Sequence, residues 1–167
     1  MATNHSPEQH LRDLLGKQKN AILVTHGTGG DIHARPMAIA EFEEDILYFA
    51  TAIDSPKVAD LQADSRAHVL IQDGARFISL AGTVRVLRDP GLVDRLWSES
   101  WKLWFPEGKS DPHLCVLSFA GGEGEYWDER GPNAVKFLVT ALKAYATGIS
   151  PAHDETEHGR ATLRPSN

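Results

Sequence analysis

A hydroxyl, a proline and a lysine stand together at Ser55, Pro56 and Lys57, where a strand-like stretch gives way to a helix-like one. The first turn of a helix attracts anions, because its N–H groups lack intrahelical partners and the helix dipole is positive there. The Ser55 hydroxyl and the Lys57 ammonium would add two donors for a phosphate. The alternative is that Ser55 only caps the helix and Lys57 is a solvated surface charge.

The two stretches before this junction supply further candidates. Strand alternation in DIHARPMA places four side chains on one face: Asp31, His33, Arg35 and Met37. The same alternation in YFAT places Phe49 and Thr51 together. We therefore expect Arg35 and Thr51 to converge on one site with Lys57.

Pro36 interrupts the first of these stretches. Proline has no N–H to give to a sheet, so this strand is predicted to lie at an edge or to be irregular there. Backbone groups left free at an edge can bind a flat, hydrogen-bonding ring. The alternatives are a surface ion pair for Arg35 and core packing for Met37.

The charge balance limits the kinds of ligand. Seventeen Lys and Arg against 23 Asp and Glu give a net charge of −6. Nucleic-acid binding needs a basic surface, so it is not expected. An anionic ligand must then be held by a few local donors. The eight histidines lack the close spacing of a metal-binding motif, and no metal site is predicted.

The remaining composition indicates an ordinary globular protein. Its 167 residues suit one domain, and 41% are hydrophobic. Cys115 is the only cysteine and lies in an apolar run, which predicts a buried packing role and a reducing compartment. No apolar run approaches the ~20 residues of a membrane span, and the polar start of the chain has no leader features. We expect a cytoplasmic protein.

Short strands in neighbouring groups, with small helices between them, predict an α+β, mainly β, fold. Two extended runs around the acidic turn EED form a predicted hairpin, and Gly82 marks a bulge or bend. The runs LCVLSF and EYWDE are predicted to be separate strands, with the glycines between them forming a turn. AVKFLVTALKAYATG is predicted to be a C-terminal helix, and residues 149–167 a disordered polar tail.

The order of several short motifs resembles a known family. A-R-P-M is followed by L-Y-F-A-T, S-P-K-V-A-D-L, S-L-A-G-T-V and finally E-Y-W-D. This order is similar to that of the FMN-binding split-barrel proteins, and most similar to the general stress protein branch of the pyridoxamine 5′-phosphate oxidase-like proteins. The similarity extends over roughly residues 8 to 148.

The resemblance implies a domain over residues 1–148 with a six-stranded antiparallel split β-barrel and peripheral helices. It also implies a homodimer, with FMN bound in clefts at the subunit interface. By position, Arg35, Pro36 and Met37 would lie beside the flavin ring, and Phe49, Ala50 and Thr51 near the ring and ribityl chain. Ser55 and Lys57 would hold the phosphate. Trp127 would reach the flavin of the partner subunit.

Several functions remain open at this point. The first is a flavin-dependent oxidoreductase, the second a non-catalytic flavin-binding or redox-sensing module, and the third a β-barrel interaction protein without flavin. Asp-Glu-Arg-Gly-Pro follows Trp127, where a true pyridoxamine 5′-phosphate oxidase has an Arg-Leu-His type stretch, so that activity is not expected. Trp97, Trp101 and Trp104 could form a flavin wall or a dimer seam, or pack an outer helix onto the barrel.

Overall fold

A computed structural model describes residues 6–128 and 158–165 of the chain. The helices are α1 (Pro7–Leu15), α2 (Pro56–Ala63) and α3 (Pro90–Leu96), and two 3₁₀ turns cover Glu99–Leu103 and Gly108–Ser110. The strands are β1 (Asn20–His26), β2 (Ile32–Ala38), β3 (Glu41–Glu43), β4 (Ile46–Ala52), β5 (Arg66–Asp73), β6 (Arg76–Leu87), β7 (Leu114–Asp128) and β8 (His158–Thr162).

The described strands form one antiparallel sheet in the order β2-β1-β5-β6-β7-β4-β3, with β8 paired to β7. This confirms the predicted split-barrel class. The described sheet has eight strands instead of six. One extra strand arises because β2 and β3 are separate strands, of which β2 pairs with β1 and β3 pairs with β4. The other is β8, which the tail contributes. The predicted hairpin around EED is the β3–β4 pair, and the pairing register shifts between Leu80 and Gly82 as expected.

Alternating burial along the strands divides the core into two clusters. Alternate residues of β4 are buried, as are those of β5. The larger cluster receives leucines from α1 and Val58 and Leu61 from α2. The smaller cluster receives Val93 and Leu96 from α3. The helices thus cover different faces of the sheet, and α2 is held tightly enough to fix the side chains on its first two turns.

The prediction of two separate last strands is wrong, because β7 is one continuous strand of 15 residues. Its glycines do not form a turn. A Cβ on Gly124 would come within 2.7 Å of Leu80 and 2.8 Å of Leu11, and a Cβ on Gly82 would lie 2.3 Å from the Ala120 carbonyl. These glycines allow β6, β7 and α1 to approach closely, which sequence alone does not distinguish from turn formation.

The prediction of a disordered tail is wrong for His158–Thr162, which form β8 against β7. The tail is also tied to the rest of the fold by Asp45, which accepts a hydrogen bond from the Arg164 N–H at 3.2 Å and a two-bond contact from Arg12 at 2.8 Å. The Arg12 hydrogen bond holds the pKa of Asp45 below its usual value. The predicted C-terminal helix lies outside the described residues.

The described sheet is not closed between β2 and β4, because these two strands are not hydrogen-bonded to each other. Within the described residues β2 is an edge strand, as Pro36 indicated, and it approaches β4 without pairing with it. Helix α2 follows β4 directly and packs against β1 and β6. The start of α2 therefore lies beside the end of β4, next to the opening between β4 and β2.

Candidate functional site

The connection from β4 to α2 is held by its own backbone. The Ile53 N–H donates to the His113 carbonyl at 2.7 Å, and the Ser55 N–H donates to the Ala52 carbonyl at 3.1 Å. Pro56 occupies the first helical position, where a missing N–H costs nothing. The result is a rigid helix start that presents Ser55 and Lys57 at fixed positions.

The Ser55 hydroxyl is the clearest sign of a binding site here. Its oxygen is buried and has no hydrogen-bond partner within residues 6–128 and 158–165. Ser55 occupies the cap position by its backbone, but its side chain makes no cap hydrogen bond. Ser6 at the start of α1 does make one, to the Gln9 N–H. A buried hydroxyl without a partner is costly, so this geometry favours a hydroxyl that is completed by a ligand.

Lys57 lies next to Ser55 in the same turn and points back at β4. Its ammonium donates to the Thr51 hydroxyl at 3.0 Å, and Thr51 is itself buried. An ammonium has three hydrogens, so this bond leaves Lys57 able to donate to a ligand as well. Lys57 and Thr51 are therefore in contact, and Lys57 is not the solvated surface charge of the alternative interpretation.

The electrostatics around Lys57 favour an anion. Burial, and secondly the positive charge of Arg35, lower the pKa of Lys57 below its usual value. Lys57 and Arg35 therefore act on each other as like charges. Between this lowered pKa and the ordinary pKa of lysine, the unfolded chain binds more protons at Lys57 than the folded chain does. The free energy of unfolding therefore rises with pH in that interval. A bound phosphate would offset both effects, because it would add negative charge beside the Lys57 ammonium.

Arg35 is part of a buried network centred on Asp60, a residue of α2. Its guanidinium donates to the Thr25 hydroxyl at 2.7 Å and lies 3.5 Å from the Asp60 carboxylate. The same carboxylate oxygen accepts from Thr25 at 2.8 Å and contacts His33 Nδ1 at 2.9 Å. The His33 hydrogen bond, followed by that of Thr25, lowers the pKa of Asp60. Arg35 does form an ion pair, but with a buried acid and not at the surface.

Thr25 and Asp60 were missed in the sequence prediction. A signal for each was available. Alternation in NAILVT places Thr25 on the buried face with Ala21 and Leu23, which leaves a hydroxyl inside that needs a partner. Asp60 follows Lys57 by three residues, so the two side chains are neighbours on the surface of α2. The pairing of Asp60 with β1 and β2 could not be read without the topology.

The other predicted site residues lie around this centre with different roles. Met37 packs against the large core cluster and Pro36 is exposed on the opposite face of β2. Phe49 is fully buried in the core. Ala50 faces the other way and packs against the α3 cluster. The side chains of Phe49 and Ala50 therefore do not line the opening beside Lys57.

Trp127 is separated from Thr51 by most of the length of β7. Thr51 pairs with Cys115 near the start of β7, and Trp127 lies at the end of the same strand. Trp127 stacks on His158 of β8, with ring centroids 5.0 Å apart and an angle of 11° between the planes.

The three other tryptophans divide between packing and exposure. Trp97 and Trp101 form an edge contact at 5.7 Å and pack against the α3 cluster, as the packing interpretation predicts. Trp104 is 68% exposed. Cys115 is fully buried, which confirms its packing role, and burial raises its pKa to about 11.

Residues 6–128 and 158–165 contain neither a membrane-spanning helix nor a metal-binding cluster. No helix there has both the length and the apolar character needed to cross a membrane. No three His, Cys, Asp or Glu side chains there come together in a way that could hold a metal ion.

Comparison with known proteins gives an independent view of the fold. The family described as "Pyridoxamine 5'-phosphate oxidase like" matches residues 6–152. A protein of general stress protein 26 type from Jannaschia sp. CCS1 is 26% identical, with a TM-score of 0.66 over 90% of this chain and 94% of its own. The general stress FMN/FAD binding protein of Xanthomonas citri is 28% identical, with a TM-score of 0.63 over 73% of this chain and 88% of its own.

A more distant structure shares only the fold. It is a pyridoxamine 5′-phosphate oxidase-related, FMN binding protein from Nostoc punctiforme, 17% identical, with a TM-score of 0.61 over 93% of this chain and 92% of its own. No curated protein matches the chain.

The Ser55 hydroxyl can be tested without any ligand. We expect Ser55→Ala to leave the free energy of unfolding of the ligand-free protein unchanged or to raise it by up to about 1 kcal/mol, because an unsatisfied buried hydroxyl is removed. Ser6→Ala, which removes a real cap, should lower it by about 0.5–2 kcal/mol. Urea denaturation of both variants measures the difference. A loss in Ser55→Ala equal to that in Ser6→Ala would show that Ser55 is only a cap.

Proposed function

The chain belongs to the pyridoxamine 5′-phosphate oxidase-like family, and from this premise we propose that it is an FMN-binding flavoprotein of the general stress protein type. The observation that carries the proposal is the buried, unpartnered Ser55 hydroxyl at the start of α2, two residues before the Lys57 ammonium that donates to Thr51. The solved structure from Xanthomonas citri, which is 28% identical to this chain, is named for binding FMN/FAD, which supports a flavin.

The phosphate of FMN fits the start of α2 in charge and in hydrogen bonding. It is a dianion with three acceptor oxygens. The Ser55 hydroxyl has no other partner, and the Lys57 ammonium keeps hydrogens beyond the one given to Thr51, so both can donate to it. The dipole of α2 adds to them. Such local donors suffice in a protein of net charge −6, since no general positive surface is required. One phosphate cluster of this size favours FMN over a dinucleotide flavin.

The flavin ring would lie along the edge strand β2, beside Arg35, Pro36 and Met37. An edge strand has unpaired backbone N–H and C=O groups, which match the hydrogen-bonding rim of the ring. Arg35 is held in place by Thr25 and Asp60, so its positive charge is fixed near the ring. A fixed positive charge stabilises the reduced, anionic flavin and raises its reduction potential. Phe49 and Ala50 would contribute only their backbone.

We further propose that the protein transfers electrons through this flavin as an oxidoreductase. Bound FMN supplies the electron chemistry, and the chain supplies binding, orientation and charge. Oxidation of pyridoxamine 5′-phosphate is not proposed, because Asp128 after Trp127 is engaged by Arg76 and by His10 and the substrate-binding stretch of that enzyme is absent.

The flavin proposal predicts a yellow protein. Flavin absorption should accompany the purified chain or appear on adding FMN, and Lys57→Met should weaken FMN binding by about 1.5–3 kcal/mol, roughly 10- to 150-fold, because a charged hydrogen bond to the phosphate is lost. Lys102→Met is the matched control, since Lys102 pairs with Glu99 at the surface. Fluorescence titration with FMN measures both constants. Protein that stays colourless in excess FMN would refute the proposal.

In the predicted dimer, Trp127 would contact the flavin of the partner subunit. The outer face of the sheet exposes Ile22 and Leu70, which are cross-strand neighbours, and Phe77, which is paired with Trp127. An apolar sheet face of this kind is a candidate interface. We propose that a second copy covers it, so that Trp127 approaches the flavin of the partner.

Charge on this face should separate the copies. Leu70→Asp should convert a dimer into a monomer and weaken FMN binding at least tenfold, because a buried interface tolerates no unpaired carboxylate. Ser110→Asp adds the same charge at an exposed position near α3 and should leave the dimer intact. Sedimentation velocity measures the mass of each variant. A Leu70→Asp variant that sediments like the wild type would exclude this face as the interface.

A further inference from the structure

His33 stands out among the side chains that flavin binding does not use. Its Nδ1 lies 2.9 Å from the Asp60 carboxylate, while its side chain is 47% exposed. A Cβ built on Gly27 would lie 2.8 Å from His33 Cε1 and 3.3 Å from Nδ1. The backbone at Gly27 and the Asp60 carboxylate therefore cover one edge of the ring. Nε2 is the ring nitrogen that does not contact Asp60.

Asp60 fixes the state of this ring. It is buried, it is hydrogen-bonded by Thr25 as well, and these contacts lower its pKa, so it is a carboxylate at neutral pH. A carboxylate only accepts hydrogen bonds, so Nδ1 of His33 carries the proton. Nε2 is then free to take up a proton from the open side or, once protonated, to give it back. An aspartate that orients a histidine in this way is a known means of preparing an acid–base group.

The His33 imidazole lies close to residues that are proposed to hold the flavin. His33 and Arg35 project from the same face of β2 and share the Asp60 carboxylate. Asp60 lies one helical turn after Lys57, and side chains three apart on a helix are ~5–6 Å apart at their Cβ atoms. His33 therefore lies two residues from Arg35, on the face of β2 along which the proposed flavin ring would lie.

We propose that His33 is the residue that exchanges a proton with the molecule reduced at this flavin, and that Asp60 is its positioning residue. The inference rests on the proposed flavin function. Reduction of a two-electron acceptor such as a quinone requires a hydride and a proton. Bound flavin in its reduced form would supply the hydride, and the imidazolium of His33 would give its Nε2 proton to the acceptor oxygen. The neutral ring then regains a proton from water.

The charges around the ring are few and can be named. Asp60 on α2 and Arg35 on β2 are the nearest, and Thr25 lies opposite His33 on β1 without a charge. Asp31 lies in the preceding turn beside Gly29, and His26 ends β1. The Asp60 carboxylate is therefore the charge that contacts the His33 ring directly.

The arrangement of the ring can be measured without flavin turnover. Two-bond ¹H–¹⁵N spectra of histidine-labelled protein distinguish the tautomers, and the signals lost in His33→Gln identify His33. The Nδ1–H form is expected in the wild type. Gly27→Ala should shift it toward the Nε2–H form, because the added methyl group displaces the ring from Asp60. Gly29→Ala, where the added Cβ would only make an ordinary contact at 3.5 Å, should not. A wild-type ring in the Nε2–H form would overturn the proposal.

The second measurement follows electron transfer in FMN-loaded protein. Protein reduced with dithionite is mixed with 1,4-benzoquinone in a stopped-flow instrument, and reoxidation is followed at one fixed pH. His33→Gln should slow reoxidation about 100-fold or more, and Gly27→Ala should also slow it, while Gly29→Ala keeps the wild-type rate. If His33→Gln binds FMN and retains the wild-type rate, the role of His33 is refuted while the flavin function stands. A chain that binds no FMN would refute both.

Discussion

The site depends on two opposite charges that lie one turn apart on the short helix α2 and are both withdrawn from water. Lys57 is bonded to Thr51 of β4, and Asp60 is bonded to Thr25 of β1 and to His33 and Arg35 of β2. Buried charges must be paired or hydrogen-bonded, so each of these contacts constrains where the strands can lie relative to α2. The helix therefore fixes the opening between β2 and β4 and also provides the cation that faces it. The hydrogen bonds of His33 and Thr25 lower the pKa of Asp60, whereas burial and the charge of Arg35 lower the pKa of Lys57, so a bound anion would stabilise the Lys57 ammonium.

Much of this could be predicted from local sequence, because the relevant signals are local. Ser55-Pro56-Lys57 marks a helix start by the residue types alone, and Pro36 marks an edge strand because it cannot donate to a ladder. What could not be predicted depends on contacts between distant segments. Glycines such as those of β7 are common in turns, but here Gly124 allows Leu80 and Leu11 to approach the strand closely. Residues His158–Thr162 of the polar tail are ordered because they pair with β7. The partner of Arg35 could not be predicted either. The sequence offers 23 acidic residues, and only the fold shows that Asp60 is the one near Arg35.

A single chain provides only part of the proposed flavin site. The phosphate end and one side of the ring are assembled from β2, β4 and α2, while Trp127 lies on the outer face of the sheet at the other end of β7. That face also exposes Ile22, Leu70 and Phe77, which a lone subunit would leave in water. Both observations are explained together if a second copy covers the face. Cofactor binding and dimerisation would then be linked, since ligand that binds only the dimer stabilises it by mass action.

The central claim is that a phosphate dianion is held by Ser55 and Lys57. The most direct measurement compares the affinity of flavin-free protein for FMN and for riboflavin, which has the same ring and ribityl chain but no phosphate. Calorimetric titration should give a dissociation constant for FMN at least about 100-fold lower than that for riboflavin, since charge-assisted hydrogen bonds from both residues are made only to FMN. Equal constants for the two ligands, within about threefold, would contradict the account, because the start of α2 would then contribute nothing to binding.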